Sequence, residues 1–324
     1  MIAVTELQRL VNQTIADKSF PAHPEELYEP IKYILSLGGK RLRPVLTLIA
    51  SDLFNGSILT ALEPAIGLEM FHNFTLMHDD IMDKAPLRRG KPTVHAKWNE
   101  AAAILSGDVM LVEAYQQIMK VDDRILREVI GIFSNTAAEV CEGQQIDMSF
   151  EQMETVSIEA YIEMIALKTA VLLGASLKIG ALIGGAQLAD AEKLYQFGKN
   201  LGIAFQLQDD ILDVYGDPEK FGKQVGGDII SNKKTFLLIK ALELASGLEE
   251  EELSFWLNKE DAEPETKVDA VTDIYNRLGI RHLAEEEMNK YAERALNILE
   301  DIPAEKEKKQ ILRSFAEELL VREN

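Results

Sequence analysis

Apolar residues recur at three- and four-residue spacings along nearly the whole chain, and Leu, Ala, Glu, Lys, Gln and Met dominate it. That periodicity predicts helix after helix. The expected segments are 2–17, 24–37, 41–55, 59–84, 97–120, 122–148, 156–167, 169–186, 188–216, 233–245, 248–258, 264–298 and 304–322. Pro44 and Pro64 fall near expected helix starts, where proline is tolerated. No run alternates apolar and polar residues as a strand would. The most membrane-like stretch, 165–186, is interrupted by Lys168 and Lys178 and thinned by Gly174, Gly180, Gly184 and Gly185. It reads as buried helices in close backbone contact, not as a membrane span. No Pro/Ser-rich linker breaks the chain, so one all-α domain over 1–324 is expected.

Two segments depart from the helical pattern. Residues 86–95 (PLRRGKPTVH) carry two prolines, a glycine and four basic residues with His95 included. Residues 216–234 (GDPEKFGKQVGGDIISNKK) carry four glycines and several lysines. The 324 residues include 34 Lys and Arg against 54 Asp and Glu, a net charge of −20. A field of that sign repels phosphate polymers, so nucleic acid and anionic membranes are not expected partners. Basic loops in such a chain stand out. The one cysteine, Cys141, allows no intrachain disulfide, and residues 1–20 show no signal-peptide pattern, so a cytoplasmic location is expected.

Each basic loop directly follows an aspartate cluster. The first is Asp79-Asp80-Ile81-Met82-Asp83 and the second Asp209-Asp210-Ile211-Leu212-Asp213, both D-D-x-x-D. On a helix the first and fifth residues share a face, so Asp79 pairs with Asp83 and Asp209 with Asp213. The middle acid, Asp80 or Asp210, points about 100° away. Two like charges one turn apart repel, and a divalent cation would offset that cost. An all-oxygen ligand set favours Mg²⁺, which is commonly held by few carboxylates together with substrate phosphate. A single such cluster also reads as a solvated acidic helix end. Two copies, each after an apolar helix and before a basic loop, favour the metal.

Gly38-Gly39-Lys40-Arg41-Leu42-Arg43-Pro44 places a glycine turn and three cations at a helix start, a setting that attracts anions. Arg88 and Arg89 follow the first acid cluster, and Lys223 and Lys233 the second. Lys168, followed by Thr169, interrupts an apolar helix and needs a partner, for which a bound anion is one candidate. His72 shares its helix with the first acids. Two kinds of anion site emerge. One combines acids, metal and cations; the other is basic alone, from Lys40, Arg43, His72 and Arg89. That asymmetry suits a reaction joining two diphosphates of which one must leave.

In this order the chain resembles the trans-isoprenyl diphosphate synthases of the polyprenyl synthetase family: GGKRLRP at 38–44, HNFTLMHDDIMD at 72–83, RRGKPTVH at 88–95, GQQIDM at 143–148, KTA at 168–170, FQLQDDILD at 205–213 and GKQVGGDIISNKKT at 222–235. The resemblance implies an all-α isoprenoid synthase bundle around a deep central cavity, usually a homodimer. It implies three Mg²⁺ ions, with Asp79, Asp83, Asp209 and Asp213 as metal ligands and Asp80 and Asp210 in the same catalytic clusters. Arg88, Lys168, Lys223 and Lys233 would bind an allylic diphosphate (dimethylallyl, geranyl or farnesyl). Lys40, Arg43, His72 and Arg89 would bind isopentenyl diphosphate. Thr169 and Gln206 would turn oxygen dipoles to the allylic cation, with Gln144 and Asp147 in support. Asn232 stands where the family often has glycine, and asparagine tolerates a similar backbone. The C-terminal 321–324 lacks a clear basic tail.

Product length is expected to be read by the helix ahead of Asp79. Thr75, Phe74 and Phe71 lie four, five and eight residues before it, on one face. One isoprene unit is about one helical turn, ~5.4 Å, so Phe74 makes a first floor and Phe71 a deeper one. An aromatic at the fifth position, without a second at the fourth or inserted residues, resembles geranylgeranyl diphosphate synthases of the archaeal type. C20 is favoured over C15, with longer products the alternative if Phe74 turns aside. A terpene cyclase or a non-catalytic partner subunit fits less well, because both acid clusters and the GGKRLR segment are present.

Overall fold

The computed structural model describes residues 3–217, 225–259 and 261–320, and helix dominates them. In chain order the helices are α1 (Val4–Asp17), α2 (Glu25–Ser36), α3 (Leu42–Leu53), α4 (Ile58–Met82), α5 (Val94–Lys97), α6 (Glu100–Ile118), α7 (Asp123–Phe150), α8 (Ile158–Ile165), α9 (Val171–Ile183), α10 (Leu188–Tyr215), α11 (Gly227–Ile230), α12 (Phe236–Leu244), α13 (Leu248–Asn258), α14 (Pro264–Arg277), α15 (Ile280–Glu300) and α16 (Lys306–Leu320). Local chemistry starts several of them. Asn99, Ser157 and Thr235 each accept a hydrogen bond from a backbone N–H three residues on, satisfying an otherwise orphaned donor.

Two compact units emerge, each discontinuous in sequence: residues 1–135, 175–195 and 301–315 form one, and 136–174, 196–300 and 316–324 the other. In the first, α4 packs along α6 and α3. Its residues 61–80 are largely buried on all sides, the mark of a central helix. Phe71, Phe133, Leu46, Leu48 and Met70 fill the core beside it. In the second unit Tyr161, Leu207, Phe236, Leu237 and Ile274 lie in one apolar cluster.

Three details differ from the sequence expectation. Leu87–Arg88 and Lys91–Pro92 form a two-stranded antiparallel ribbon, strands β1 and β2. Strands of two residues are too short to show a period. Their turn is made by Arg89 and Gly90, both at positive φ (52° and 71°), the conformation a two-residue hairpin requires. The expected helix 264–298 is two helices, because Gly279 at φ 68° turns the chain between α14 and α15. The expected break before residue 169 is instead a π-turn, Ala166–Ala170, joining α8 to α9. The helix so formed, Ile158–Ile183, is long and apolar enough to cross a membrane, but 78% of its apolar window is buried within the protein.

Candidate active site

The first unit places the first acid cluster at the end of α4, with Asp83 as its C-cap residue. Asp79 is half-buried and Asp83 exposed, one turn apart as the spacing requires. Asp80 turns the other way. It is buried, and Arg88 donates to it through Nε at 2.8 Å and Nη2 at 2.7 Å. The hairpin that follows carries Arg88 back over the helix end. It is pinned there by Thr93, which donates Oγ1 to Ala85 O at 2.8 Å, and by Tyr33, which donates its hydroxyl to Pro92 O at 2.7 Å.

The basic site lies in the same unit. Arg43, Arg89 and His72 act on one another electrostatically. Burial pulls Arg43 down to about 10; Glu69 opposes and Arg89 adds repulsion. Its Nε is buried without a hydrogen-bond partner, although the residue as a whole is half-exposed. Burial also holds His72 well below 6.5, with Arg43, Arg89, Arg88 and Arg41 pushing the same way. Arg89 donates Nη1 to Gly38 O, which ties the hairpin to the glycine turn. Lys40 is exposed on that turn. Cations gathered around an imidazole held neutral repel one another, a cost that an anion would offset.

One cation of GGKRLR does not belong to that group. Arg41 is buried and donates to Glu69 Oε1 (2.7 Å), Leu35 O (2.7 Å) and Asn12 Oδ1 (3.0 Å). It anchors the turn from beneath. Of the three cations in four positions, Arg41 is therefore spent on the core, which leaves Lys40 and Arg43.

In the second unit Asp209 and Asp213 are half-buried on α10. Asp213 Oδ2 accepts the backbone N–H of Asp228 at 2.9 Å, and Asp213 O accepts that of Gly226 at 2.6 Å, which seats α11 against α10. Asp210 again turns inward. It is buried and accepts from the Tyr161 hydroxyl and from Gln206 Nε2 (3.2 Å). Burial, then the charge of Asp228, raises its pKa, while the Tyr161 hydrogen bond opposes. Thr169 donates Oγ1 to Gln206 Oε1 at 3.3 Å. Lys168 meets Asp147 at 2.6 Å, so its partner in this structure is a carboxylate of the chain. The π-turn bearing Lys168 and Thr169 is held close on two sides: a Cβ at Gly143 would lie 2.3 Å from Lys168 N, and one at Gly202 would lie 2.6 Å from Ala170 Cα. Lys223 lies outside the described residues.

Phe71 and Phe74 are buried, with ring centroids 5.7 Å apart, and Phe71 meets Phe133 edge-on at 5.2 Å. Thr75 is half-buried and donates to His72 O at 2.8 Å.

Among the described residues no three His, Cys, Asp or Glu side chains gather into a self-sufficient metal cage. The donor set still fits Mg²⁺. Each cluster offers two carboxylates on one face, all oxygen, and leaves the remaining positions for water and phosphate. Sequence reasoning missed Tyr161 and Asp228. Tyr161 lies in an apolar run where its hydroxyl leaves no mark; Asp228 stood in plain view in GGDII but without a partner to pair it with.

The sequence model of the polyprenyl synthetase family matches residues 24–275. The chain belongs to that family. It is a trans-prenyltransferase by that membership, with the all-α fold of the group. It is similar, at 44% identity over 222 residues covering 68% of each chain, to a geranylgeranyl diphosphate synthase of Methanosarcina mazei. A short chain isoprenyl diphosphate synthase of Methanothermobacter thermautotrophicus is 34% identical over 100% of this chain and 99% of its own length. A crystal structure of a geranylgeranyl pyrophosphate synthase superposes with a TM-score of 0.95 at 42% identity, covering 100% of both chains.

Proposed function

We propose that this polyprenyl synthetase condenses isopentenyl diphosphate with an allylic diphosphate, head to tail and in the trans sense, with C20 as its principal product. The observation that carries the reading is the shared construction of the two acid clusters. In each, the outer carboxylates are left partly exposed as a pair, while the middle one is buried and hydrogen-bonded. That construction supports Asp79 and Asp83, with Asp209 and Asp213, as Mg²⁺ ligands on a single allylic diphosphate, with three ions in the complete site. Bound there, Mg²⁺ would supply Lewis acidity that makes the diphosphate a better leaving group.

The chain's own residues do the rest. Lys168, Lys233, Lys223 and Arg88 hold the allylic diphosphate and stabilise charge as it develops on it. Lys168 has to trade Asp147 for the substrate, so the site begins as an internal ion pair. Arg43, His72, Arg89 and Lys40 hold isopentenyl diphosphate intact, with no acid cluster beside it. Thr169 and Gln206 direct oxygen atoms at the allylic cation. The C3–C4 double bond attacks that cation, and a C2 proton leaves with the departing diphosphate. Apolar walls exclude the water that would trap the cation, and Phe74, backed by Phe71, ends the space for the growing chain. That floor and the likeness to geranylgeranyl diphosphate synthases support a C20 product; a longer polyprenyl product is the alternative if the ring swings aside.

Residues 1–324 act as one polyprenyl synthetase domain, in the cytoplasm and as a homodimer. On α6 and its C-cap, Leu105, Val112 and Met119 are 57%, 55% and 47% exposed at seven-residue spacing, an apolar stripe suited to a second copy. Incubation with Mg²⁺, isopentenyl diphosphate and dimethylallyl, geranyl or farnesyl diphosphate tests the reading. A prenyl diphosphate of C20 is expected; a hydrocarbon would make the protein a cyclase, and no product would leave it a partner subunit.

A further inference from the structure

Four side chains of the second unit form one hydrogen-bonded line. Thr169 Oγ1 donates to Gln206 Oε1 (3.3 Å), Gln206 Nε2 donates to Asp210 Oδ1 (3.2 Å), and the Tyr161 hydroxyl donates to Asp210 Oδ2. An amide side chain has a donor end and an acceptor end, and its neighbours decide which points where. Here Asp210 Oδ1 takes the donor end. Gln206 then presents its oxygen on the side of Thr169, where Thr169 Oγ1 donates to it.

The carboxylate holds this arrangement only while it is itself fixed. Asp210 is 4% exposed and Tyr161 2% exposed, so no water competes for either. Tyr161 reaches Asp210 from α8, one π-turn ahead of the segment that carries Thr169. Its hydrogen bond to Oδ2 leaves Oδ1 for Gln206.

We propose that Tyr161 is a positioning residue: acting through Asp210, it holds the Gln206 amide with its oxygen toward the allylic cation, and so decides how much of that cation is lost to water. This rests on the reading that Thr169 and Gln206 face the substrate. The competing fate is defined chemically. Water adds to the cation and a proton leaves, giving the allylic alcohol in place of the longer prenyl diphosphate. A Gln206 amide free to rotate would present its N–H groups to the cation for part of the time, and so stabilise it less.

The test compares Tyr161→Phe with Tyr275→Phe under Mg²⁺, isopentenyl diphosphate and farnesyl diphosphate. Tyr275 is an equally buried tyrosine of the same unit that bonds neither Asp210 nor Gln206, so it reports on the loss of a buried hydroxyl alone. For Tyr161→Phe, kcat is expected to fall about five- to tenfold, with the farnesyl diphosphate KM within about twofold and the ratio of farnesol to product raised by a similar factor. Tyr275→Phe keeps the wild-type ratio. An alcohol-to-product ratio unchanged in Tyr161→Phe overturns the relay. If Tyr161→Phe does not fold, Asp210→Asn interrupts the same line from its other side, and a wild-type ratio there overturns it equally. A wild-type protein that makes no prenyl diphosphate overturns the functional reading and the relay together; an active wild type with an indifferent Tyr161→Phe overturns the relay alone.

Discussion

Arg88 closes on Asp80 with two hydrogen bonds, Nε at 2.8 Å and Nη2 at 2.7 Å, on a carboxylate that is only 2% exposed. The middle acid of the first cluster is therefore neutralised by the chain itself, while Asp79 and Asp83 share the opposite face. The two kinds of acid should fail differently. Asp80→Ala strands the guanidinium and is expected to lower stability by about 2 kcal/mol, the scale of a lost charge-assisted hydrogen-bond pair. Asp83→Ala, at an exposed position, should stay within about 0.5 kcal/mol of wild type, yet lose most of its Mg²⁺-dependent turnover. Denaturant unfolding and steady-state rates, measured on both variants, separate these outcomes. Equal stability losses would mean that the Arg88 pair does not hold the helix end.

His72 gives the basic site a pH signature. Burial and four neighbouring arginines depress its folded pKa well below 6.5. The unfolded chain therefore binds more protons than the folded one below about pH 6.5, so this residue's contribution to stability falls as pH drops through that range. A bound diphosphate reverses the local field and raises the imidazole pKa. Binding should then take up protons, with isopentenyl diphosphate held more tightly as pH falls from 7 to 6. Calorimetry in two buffers of different ionisation enthalpy measures the uptake, and His72→Gln corrects for protons taken by the diphosphate itself. Identical proton uptake in the two proteins would remove His72 from the anion site.

Phe74 and Phe71 lie in a run of rings: Phe74 meets His78 edge-on at 4.7 Å and tilts against Phe71 at 5.7 Å, and Phe71 meets Phe133 edge-on at 5.2 Å. Phe71→Ala removes a fully buried ring from the middle of that run, whereas Phe74→Ala removes one that is 9% exposed. Phe74→Ala should therefore lengthen the product by one or two isoprene units, at about one helical turn each. Phe71→Ala alone should mainly cost stability, on the order of 3 kcal/mol for a fully buried ring. Chromatography of products primed with farnesyl diphosphate reads the first, and thermal unfolding the second. An unchanged product distribution in Phe74→Ala would sink it as the floor.

Much of this is legible in the sequence. The period of the apolar residues gave the helices, and the five-residue span of each D-D-x-x-D gave the shared faces of Asp79 with Asp83 and Asp209 with Asp213. Partners distant in sequence were not legible. Nothing local tells Arg41 from Arg43; the difference is Glu69, 28 residues away, which draws Arg41 into the core. Lys168 reads as a cation awaiting an anion until the fold brings up Asp147 from 21 residues upstream. The hairpin at 87–92 escaped because strands of two residues have no periodicity to detect.

Asn232 ties the segment before Lys233 to residues distant in sequence. Its φ of 55° suits glycine or asparagine, and the side chain is used as well. Nδ2 donates to Leu257 O at 2.9 Å, and Oδ1 accepts from the buried Lys267 Nζ at 2.7 Å, which also reaches Ile230 O at 3.1 Å. Lys267 thus fastens the segment leading into Lys233 to α14. Asn232→Gly keeps the backbone but drops both contacts, and should lower stability by about 1–2 kcal/mol. Asn232→Ala adds the strain of a β-carbon at positive φ and should be the less stable of the two. Lys267→Met removes the same bond from its other end. Residues in contact do not act additively, so the double variant Asn232→Gly/Lys267→Met should lose less than the two single losses combined, by about 0.5 kcal/mol or more. Guanidinium unfolding of the four proteins measures the coupling, and the KM for the allylic diphosphate shows whether it reaches Lys233. Strict additivity would mean that Asn232 is tolerated for its backbone alone and that Lys267 serves only its own helix.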